Sequence, residues 1–129
     1  MLSEAKSAAG GQKIALIDDE KTILDIYSRV LGKEFEVLTA INGEDGLELI
    51  EKEKPVLVLV DIRMPKMDGL EMIQEMKEKK LLNIPVLILT NLSDDAKVAK
   101  AIELGAKEYI LKVKATPTDI LEKVKNYLG

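Results

Sequence analysis

The amino-acid sequence predicts an α/β fold in which helices cover both faces of one parallel sheet. Short apolar runs, rich in β-branched residues, alternate five times with longer amphipathic stretches. Such alternation is typical of strand–helix–strand units, whose parallel strands are buried on both sides and therefore read as nearly continuous apolar segments. A chain of 129 residues is expected to form one domain.

The first half of the chain carries two strand–helix pairs. The first strand, at about Lys13 to Asp18, leads into a helix from about Glu20 to Leu31. The second strand, Phe35 to Thr39, is more polar and is expected at an edge of the sheet. Asn42 is expected to cap a helix from Gly43 to Glu53.

The second half repeats the pattern three times. Pro55 opens the third strand, which is the most apolar in the chain and is therefore expected at the centre, and Pro85 opens the fourth. Ser93 or Asp94 is expected to cap the fourth helix. The fifth strand covers about Lys107 to Lys112.

The last helix has a clear start signal, with Thr116 as its cap and Pro117 at its first position. In the last three helices, periodicity predicts inward-facing residues on one stripe of each helix. These are Leu70, Ile73 and Met76, then Val98, Ala101, Ile102 and Leu104, and finally Ile120, Leu121, Val124, Tyr127 and Leu128.

Polar side chains stand at the ends of four predicted strands. Asp18 and Asp19 follow the first strand, Asp61 the third, Thr90 the fourth and Lys112 the fifth. Right-handed crossovers favour the flavodoxin-like strand order 2-1-3-4-5, a (βα)5 three-layer sandwich whose carboxyl edge binds ligands. Three carboxylates, a hydroxyl and an ammonium in one cleft suit a divalent cation and a phosphoryl group.

Composition excludes several classes of function. The net charge of −4 argues against nucleic-acid binding, and the absence of cysteine and histidine excludes disulfides, thiolate metal sites and histidine-based catalytic triads. No apolar run suits a membrane span, and the start of the chain lacks the core of a signal peptide. We therefore expect a cytoplasmic protein with no membrane partner, a flexible leader over residues 1–12 and the domain over residues 13–129.

The polar strand ends, together with the loop from Asp61 to Gly69, DIRMPKMDG, resemble the receiver domain of two-component response regulators. The closest resemblance is to the stand-alone chemotaxis-type receiver, and the loop is similar to the family's D-x-x-M-P-x-M-D-G. Tyr109 lies three residues before Lys112, where receivers often carry an aromatic switch residue. The resemblance runs from Lys13 to the C-terminus.

The resemblance implies the chemistry of the site. Asp61 would accept a phosphoryl group from a histidine kinase or a phosphotransfer protein. Asp19, Asp61 and the backbone carbonyl of Arg63 would coordinate Mg²⁺, for which Mn²⁺ can substitute, and Asp18 would act mainly through a bound water. The chain would be an enzyme only in promoting its own phosphorylation and dephosphorylation.

The resemblance also implies a switch. Thr90 and Lys112 would bind phosphoryl oxygens, and movement of Thr90 and Tyr109 would change the affinity of an output partner. That partner would bind the face formed by the fourth helix, the fifth strand and the fifth helix, and the chain would be a monomer or a weak homodimer. Receivers usually carry proline after the lysine, whereas Val113 follows here, so we expect a trans bond with a reshaped loop or a strained cis bond.

Other interpretations stay open at this point. The chain could be a degenerate receiver that binds a partner without phosphorylation, a metal-dependent phosphatase or phosphotransferase that uses Asp61 as its nucleophile, or a flavin-binding protein. Taken alone, Asp19 or Glu20 is equally well interpreted as a helix cap.

Overall fold

The computed structural model describes residues 11–91 and 95–129. Its five strands form one parallel sheet in the order β2-β1-β3-β4-β5, which confirms the predicted fold class and strand order. The strands are β1 (Lys13–Ile17), β2 (Glu36–Ala40), β3 (Leu57–Asp61), β4 (Val86–Thr90) and β5 (Glu108–Leu111). The helices are α1 (Lys21–Leu31), α2 (Gly43–Glu53), α3 (Gly69–Glu78), α4 (Asp95–Leu104) and α5 (Pro117–Leu128).

Helices cover both faces of the sheet, because alternate strand residues point to opposite sides. Ala15 and Ile17 of β1 belong to a core cluster with residues of α2, α3 and α4, whereas Ile14 and Leu16 belong to a second cluster with residues of α1 and α5. Every residue of β3 and β4 is buried, and β3 is the middle strand of the sheet, as predicted. The result is a three-layer sandwich.

Several helix starts have the side-chain caps that the sequence predicts. Asn42 accepts a hydrogen bond from the backbone N–H of Asp45 at 2.8 Å, and Thr116 forms a capping box with Asp119. Ser93, Asp94 and most of the predicted leader lie outside the described residues. The predicted domain boundary therefore stays a prediction.

Two residues that the periodicity assigns to the core are exposed instead. The side chain of Ile102 on α4 is 37% exposed, because the adjacent residue Ala101, which is fully buried, is the one that faces the sheet. Tyr127 on α5 is 38% exposed, and its hydroxyl donates a hydrogen bond to a carboxylate oxygen of Glu108 at 2.5 Å. Both predictions were wrong because helical periodicity gives the direction of a stripe and not its width.

The Lys112–Val113 peptide bond is trans, as are all peptide bonds of the described residues. Within the same part of the chain, no helix combines the length and the apolar character that crossing a bilayer would require.

Candidate functional site

The sheet register brings the predicted polar residues to one edge. β1 pairs with β3, β3 with β4, and β4 with β5, so the ends of these strands are adjacent. The backbone N–H of Asp18 donates to Ala40 O at 3.0 Å, and that of Lys112 donates to Thr90 O at 2.9 Å. Asp18, Asp61, Thr90 and Lys112 therefore leave the sheet at neighbouring positions.

The ammonium group of Lys112 lies among carboxylates. Its Nζ is 2.7 Å from Asp18 Oδ2, 2.7 Å from Glu20 Oε1 and 3.1 Å from Asp61 Oδ2. The Lys112 side chain is only 4% exposed. Burial opposes its charge, but hydrogen bonds to Asp18 and Glu20 and the charges of Asp61 and Asp18 outweigh burial and raise the pKa of Lys112. Lys112 is therefore a fixed positive charge beside Asp61.

Three carboxylates face one another across this edge. Ligand oxygens of Asp18, Asp19 and Asp61 all lie within 4.8 Å of one another, with Asp18 and Asp61 buried and Asp19 exposed. Burial, and next the charge of Asp18, raise the pKa of Asp61 from 3.8 to about 6, against the opposing effect of Lys112. Burial likewise raises the pKa of Asp18. The site holds more negative charge than Lys112 alone can neutralise.

The donor set fits a divalent cation. Asp18 Oδ2 is buried, and apart from its ion pair with Lys112 it has no hydrogen-bond partner within the described residues. Carboxylate and carbonyl oxygens are the ligands that Mg²⁺ prefers. The backbone N–H of Arg63 donates to the Asp61 carboxylate, so the segment whose carbonyl is the predicted third ligand lies against the acceptor.

The two remaining predicted residues are Thr90, at the end of the strand beside Asp61, and Tyr109, on the edge strand β5. Thr90 is buried, and its hydroxyl donates a long hydrogen bond of 3.4 Å to Asn91 O. Tyr109 on β5 is 52% exposed.

Sequence reasoning missed three contacts of this region. Glu20 stands at the cap position of α1, but its side chain does not cap the helix and instead contacts Lys112. Asp68 and Glu71 form a capping box at the start of α3, and Lys97 pairs with Asp68 at 2.8 Å. The spacing of an acidic residue three places after a capping residue was a usable signal for the second of these, since it marks capping boxes in general.

Gly69 allows the loop after β3 to return close to Asp61, and we expect Gly69→Ala to destabilise the protein by about 1–3 kcal/mol through overpacking. A Cβ at this position would lie 2.2 Å from the backbone oxygen of Asp61. The measurement is urea unfolding, with Gln74→Ala, at an exposed position of the same helix, as the control. Equal unfolding midpoints for the two variants would contradict the close approach.

Comparison with known proteins agrees with this arrangement. A sequence profile described as "Response regulator receiver domain" matches residues 14–125. The alkaline phosphatase synthesis transcriptional regulatory protein PhoP of Bacillus subtilis is 34% identical over 118 residues, which cover 91% of the chain and 48% of PhoP. The chain thus spans about half the length of the curated relatives that it matches.

Solved structures give the same result. The BeF3-activated DrrB receiver domain is 37% identical, with a TM-score of 0.78 and coverage of 91% of this chain and 97% of that one. A CheY-like response regulator receiver domain protein from Methanospirillum hungatei is 30% identical, with a TM-score of 0.83 and coverage of 91% and 93%.

Proposed function

The chain belongs to the response regulator receiver domain family, and on that premise we propose that it accepts a phosphoryl group on Asp61 and thereby changes its affinity for a partner protein. The donor would be a histidine kinase or a phosphotransfer protein. The observation that carries the proposal is the surroundings of Asp61, which has Lys112 Nζ at 3.1 Å and the carboxylates of Asp18 and Asp19 within 4.8 Å. A phosphoryl group at this point would meet positive charge and cation ligands together.

Asp61 supplies the nucleophile. An oxygen of its carboxylate forms the new bond to phosphorus, and the bond from phosphorus to the donor atom breaks, with its electron pair remaining on the donor. Lys112 neutralises charge on the transferred group, and Thr90 can donate its hydroxyl to a phosphoryl oxygen at little cost, because its bond to Asn91 O is long. Hydrolysis of the aspartyl phosphate by water restores the free carboxylate.

Asp18, Asp19, Asp61 and the carbonyl of Arg63 would hold Mg²⁺ at this edge, with Mn²⁺ as a substitute. The bound ion would neutralise charge on the three carboxylates and on the phosphoryl group. The observation in favour is the cluster of oxygen donors from Asp18, Asp19 and Asp61, in which Lys112 is the one partner of the buried Asp18 Oδ2 among the described residues. On this proposal the chain is not an enzyme for an external substrate.

The output surface would be the face formed by α4, β5 and α5. Tyr109 and Ile102, which are 52% and 37% exposed, offer apolar area there. Thr90 ends β4 beside β5, and Tyr109 pairs in register with Ile88, so a change at Thr90 can reach this face over a short path. The absence of a nucleic-acid partner stays a prediction, since PhoP is a transcriptional regulatory protein of about twice this length.

The test is incubation with Mg²⁺ and acetyl phosphate, followed by intact mass measurement. We expect the wild type to gain one phosphoryl group, Asp61→Asn to gain none, and Asp25→Asn, an exposed acid on α1, to behave as the wild type. Phosphorylation of Asp61→Asn would contradict the assignment of the acceptor. No gain by the wild type from acetyl phosphate or from a phosphorylated histidine donor would favour a degenerate receiver.

A further inference from the structure

A fourth carboxylate, outside the three that face one another at the metal position, contacts Lys112. Glu20 Oε1 lies 2.7 Å from Lys112 Nζ, nearer than Asp61 Oδ2 at 3.1 Å. Glu20 precedes α1, whereas Lys112 follows β5, so the contact joins residues 92 positions apart. It ties the first and last strand ends of the site together.

Glu20 is placed for this contact and not for helix capping. It occupies the N-cap of α1, yet its side chain accepts no hydrogen bond from the helix. Its backbone N–H donates to Asp18 Oδ1 at 2.9 Å, which fixes the residue beside the carboxylate cluster. A shorter acid would be the ordinary cap, since capping positions favour Ser, Thr, Asp and Asn.

Lys112 depends on side-chain contacts for its position. Its backbone is held by the bond to Thr90 O, but the four-carbon side chain is flexible, and Val113 beyond it is 67% exposed and does not pack the loop against the site. An ammonium has three N–H donors, and three carboxylates lie within reach of Nζ. The carboxylate oxygens of Asp18 and Asp61 are also the ones that would bind a cation, and Asp61 would carry the phosphoryl group. Glu20 is therefore the carboxylate that remains paired with Lys112 when Asp18 and Asp61 bind the cation and the phosphoryl group.

We propose that Glu20 is a positioning residue for phosphoryl transfer, acting through Lys112. This inference rests on the proposed function: Glu20 holds the Lys112 ammonium beside Asp61 while the phosphoryl group is transferred. Because Glu20 is 52% exposed and its pairing is therefore screened by water, the contribution is that of an exposed ion pair. Glu20→Ala should slow phosphorylation by acetyl phosphate about 5-fold, which corresponds to ~1 kcal/mol. Glu20→Gln keeps an oxygen acceptor and should slow it about 2-fold.

A double-mutant cycle separates positioning from a merely structural role. In a Lys112→Ala background, Glu20→Ala should have almost no further effect on the phosphorylation rate, because the group through which it acts is gone. Glu44→Ala, which removes the same charge from the first turn of α2, is the matched control and should leave the rate unchanged. A full 5-fold effect of Glu20→Ala in the Lys112→Ala background would overturn the proposal, as would an unchanged rate in Glu20→Ala alone.

A second measurement tests the contact without phosphorylation. Trinitrobenzenesulfonate modifies free amines, and peptide mapping would give the rate at Lys112, which is slow in the wild type because the side chain is 4% exposed and paired. The rate at Lys112 should rise about 5-fold in Glu20→Ala and stay constant in Glu44→Ala. If the wild type accepts no phosphoryl group, the proposed function fails while this rise still supports the positioning of Lys112. An unchanged labelling rate would overturn the positioning itself.

Discussion

At pH 7 and without divalent metal, Asp61→Asn is expected to raise the free energy of unfolding by about 2 kcal/mol. Burial, with the charge of Asp18 as the second cause, raises the pKa of Asp61 from 3.8 to about 6 in the folded protein. That rise corresponds to a cost of about 3 kcal/mol for the ionised form in the folded protein. This cost already includes the attraction to Lys112; asparagine avoids it, but its buried amide donors need partners of their own, which leaves about 2 kcal/mol.

The sign of the pH dependence follows from proton binding. Between about pH 4 and pH 6 the folded protein holds the Asp61 proton more tightly than the unfolded chain does, so the unfolded chain releases it first and wild-type stability falls as the pH rises. The cost is complete above pH 6 and absent below about pH 4. The advantage of Asp61→Asn should therefore be full at pH 7 and disappear near pH 4.

Urea unfolding at pH 7 and pH 4 in the presence of EDTA checks this prediction. Asp25→Asn is the control, because it removes an exposed acid from α1 and should change the free energy of unfolding by less than about 0.5 kcal/mol. An advantage of Asp61→Asn that is equal at both pH values would show that Asp61 carries no penalty for its charge. Added Mg²⁺ should stabilise the wild type and narrow its difference from the variant.

The sequence predicted the proximity of the polar strand ends, because parallel topology converts positions along the chain into positions in space. Asp18, Asp61, Thr90 and Lys112 each end a strand, and all carboxyl ends of a parallel sheet meet at one edge. No long-range information is needed beyond the strand order, which crossover handedness restricts. Roles, in contrast, came from the resemblance to receivers.

What the sequence did not reveal depends on side-chain reach and on tertiary packing. Glu20 and Lys112 are 92 positions apart, and nothing in their spacing predicts a 2.7 Å contact between them. The exposure of Ile102 depends on how α4 rests on the sheet, which helical periodicity does not specify. The raised pKa of Asp61 likewise arises from burial of its carboxylate at the carboxyl edge of the folded sheet, so only the structure shows it.

Replacement of the Lys112 ammonium should lower the free energy of unfolding, whereas Asp61→Asn should raise it. Lys112→Met is expected to lower the free energy of unfolding at pH 7 by about 3 kcal/mol, because removal of one partner leaves buried charges uncompensated. Asp18 is fully buried and the Asp61 side chain is 9% exposed, while methionine preserves most of the packing of the lysine stem. The loss should be smaller near pH 4, where protonation removes the carboxylate charge that Lys112 balances.

Thermal and urea unfolding measures this loss of stability in the wild type and three variants: Lys112→Met, Asp61→Asn and the double variant. The loss caused by Lys112→Met should shrink in the Asp61→Asn background, which gives the coupling between the two residues. Lys114→Met is the matched control, since Lys114 is exposed and only two residues away, and it should change stability by less than about 0.5 kcal/mol. A loss as large in Lys114→Met as in Lys112→Met would assign the effect to the loop.

Mg²⁺ should compensate for the missing ammonium. In the wild type, Lys112 Nζ contacts Asp18 Oδ2 and Asp61 Oδ2, so a divalent ion must share these oxygens with it. In Lys112→Met the same oxygens have no competing cation, and saturating Mg²⁺ should raise the unfolding temperature of the variant more than that of the wild type. Equal increases would mean that lysine and metal use different oxygens. A larger increase in the variant would mean that Lys112 balances the carboxylates before the metal binds, so metal binding and the release of Lys112 toward an incoming phosphoryl group are linked through the same two residues.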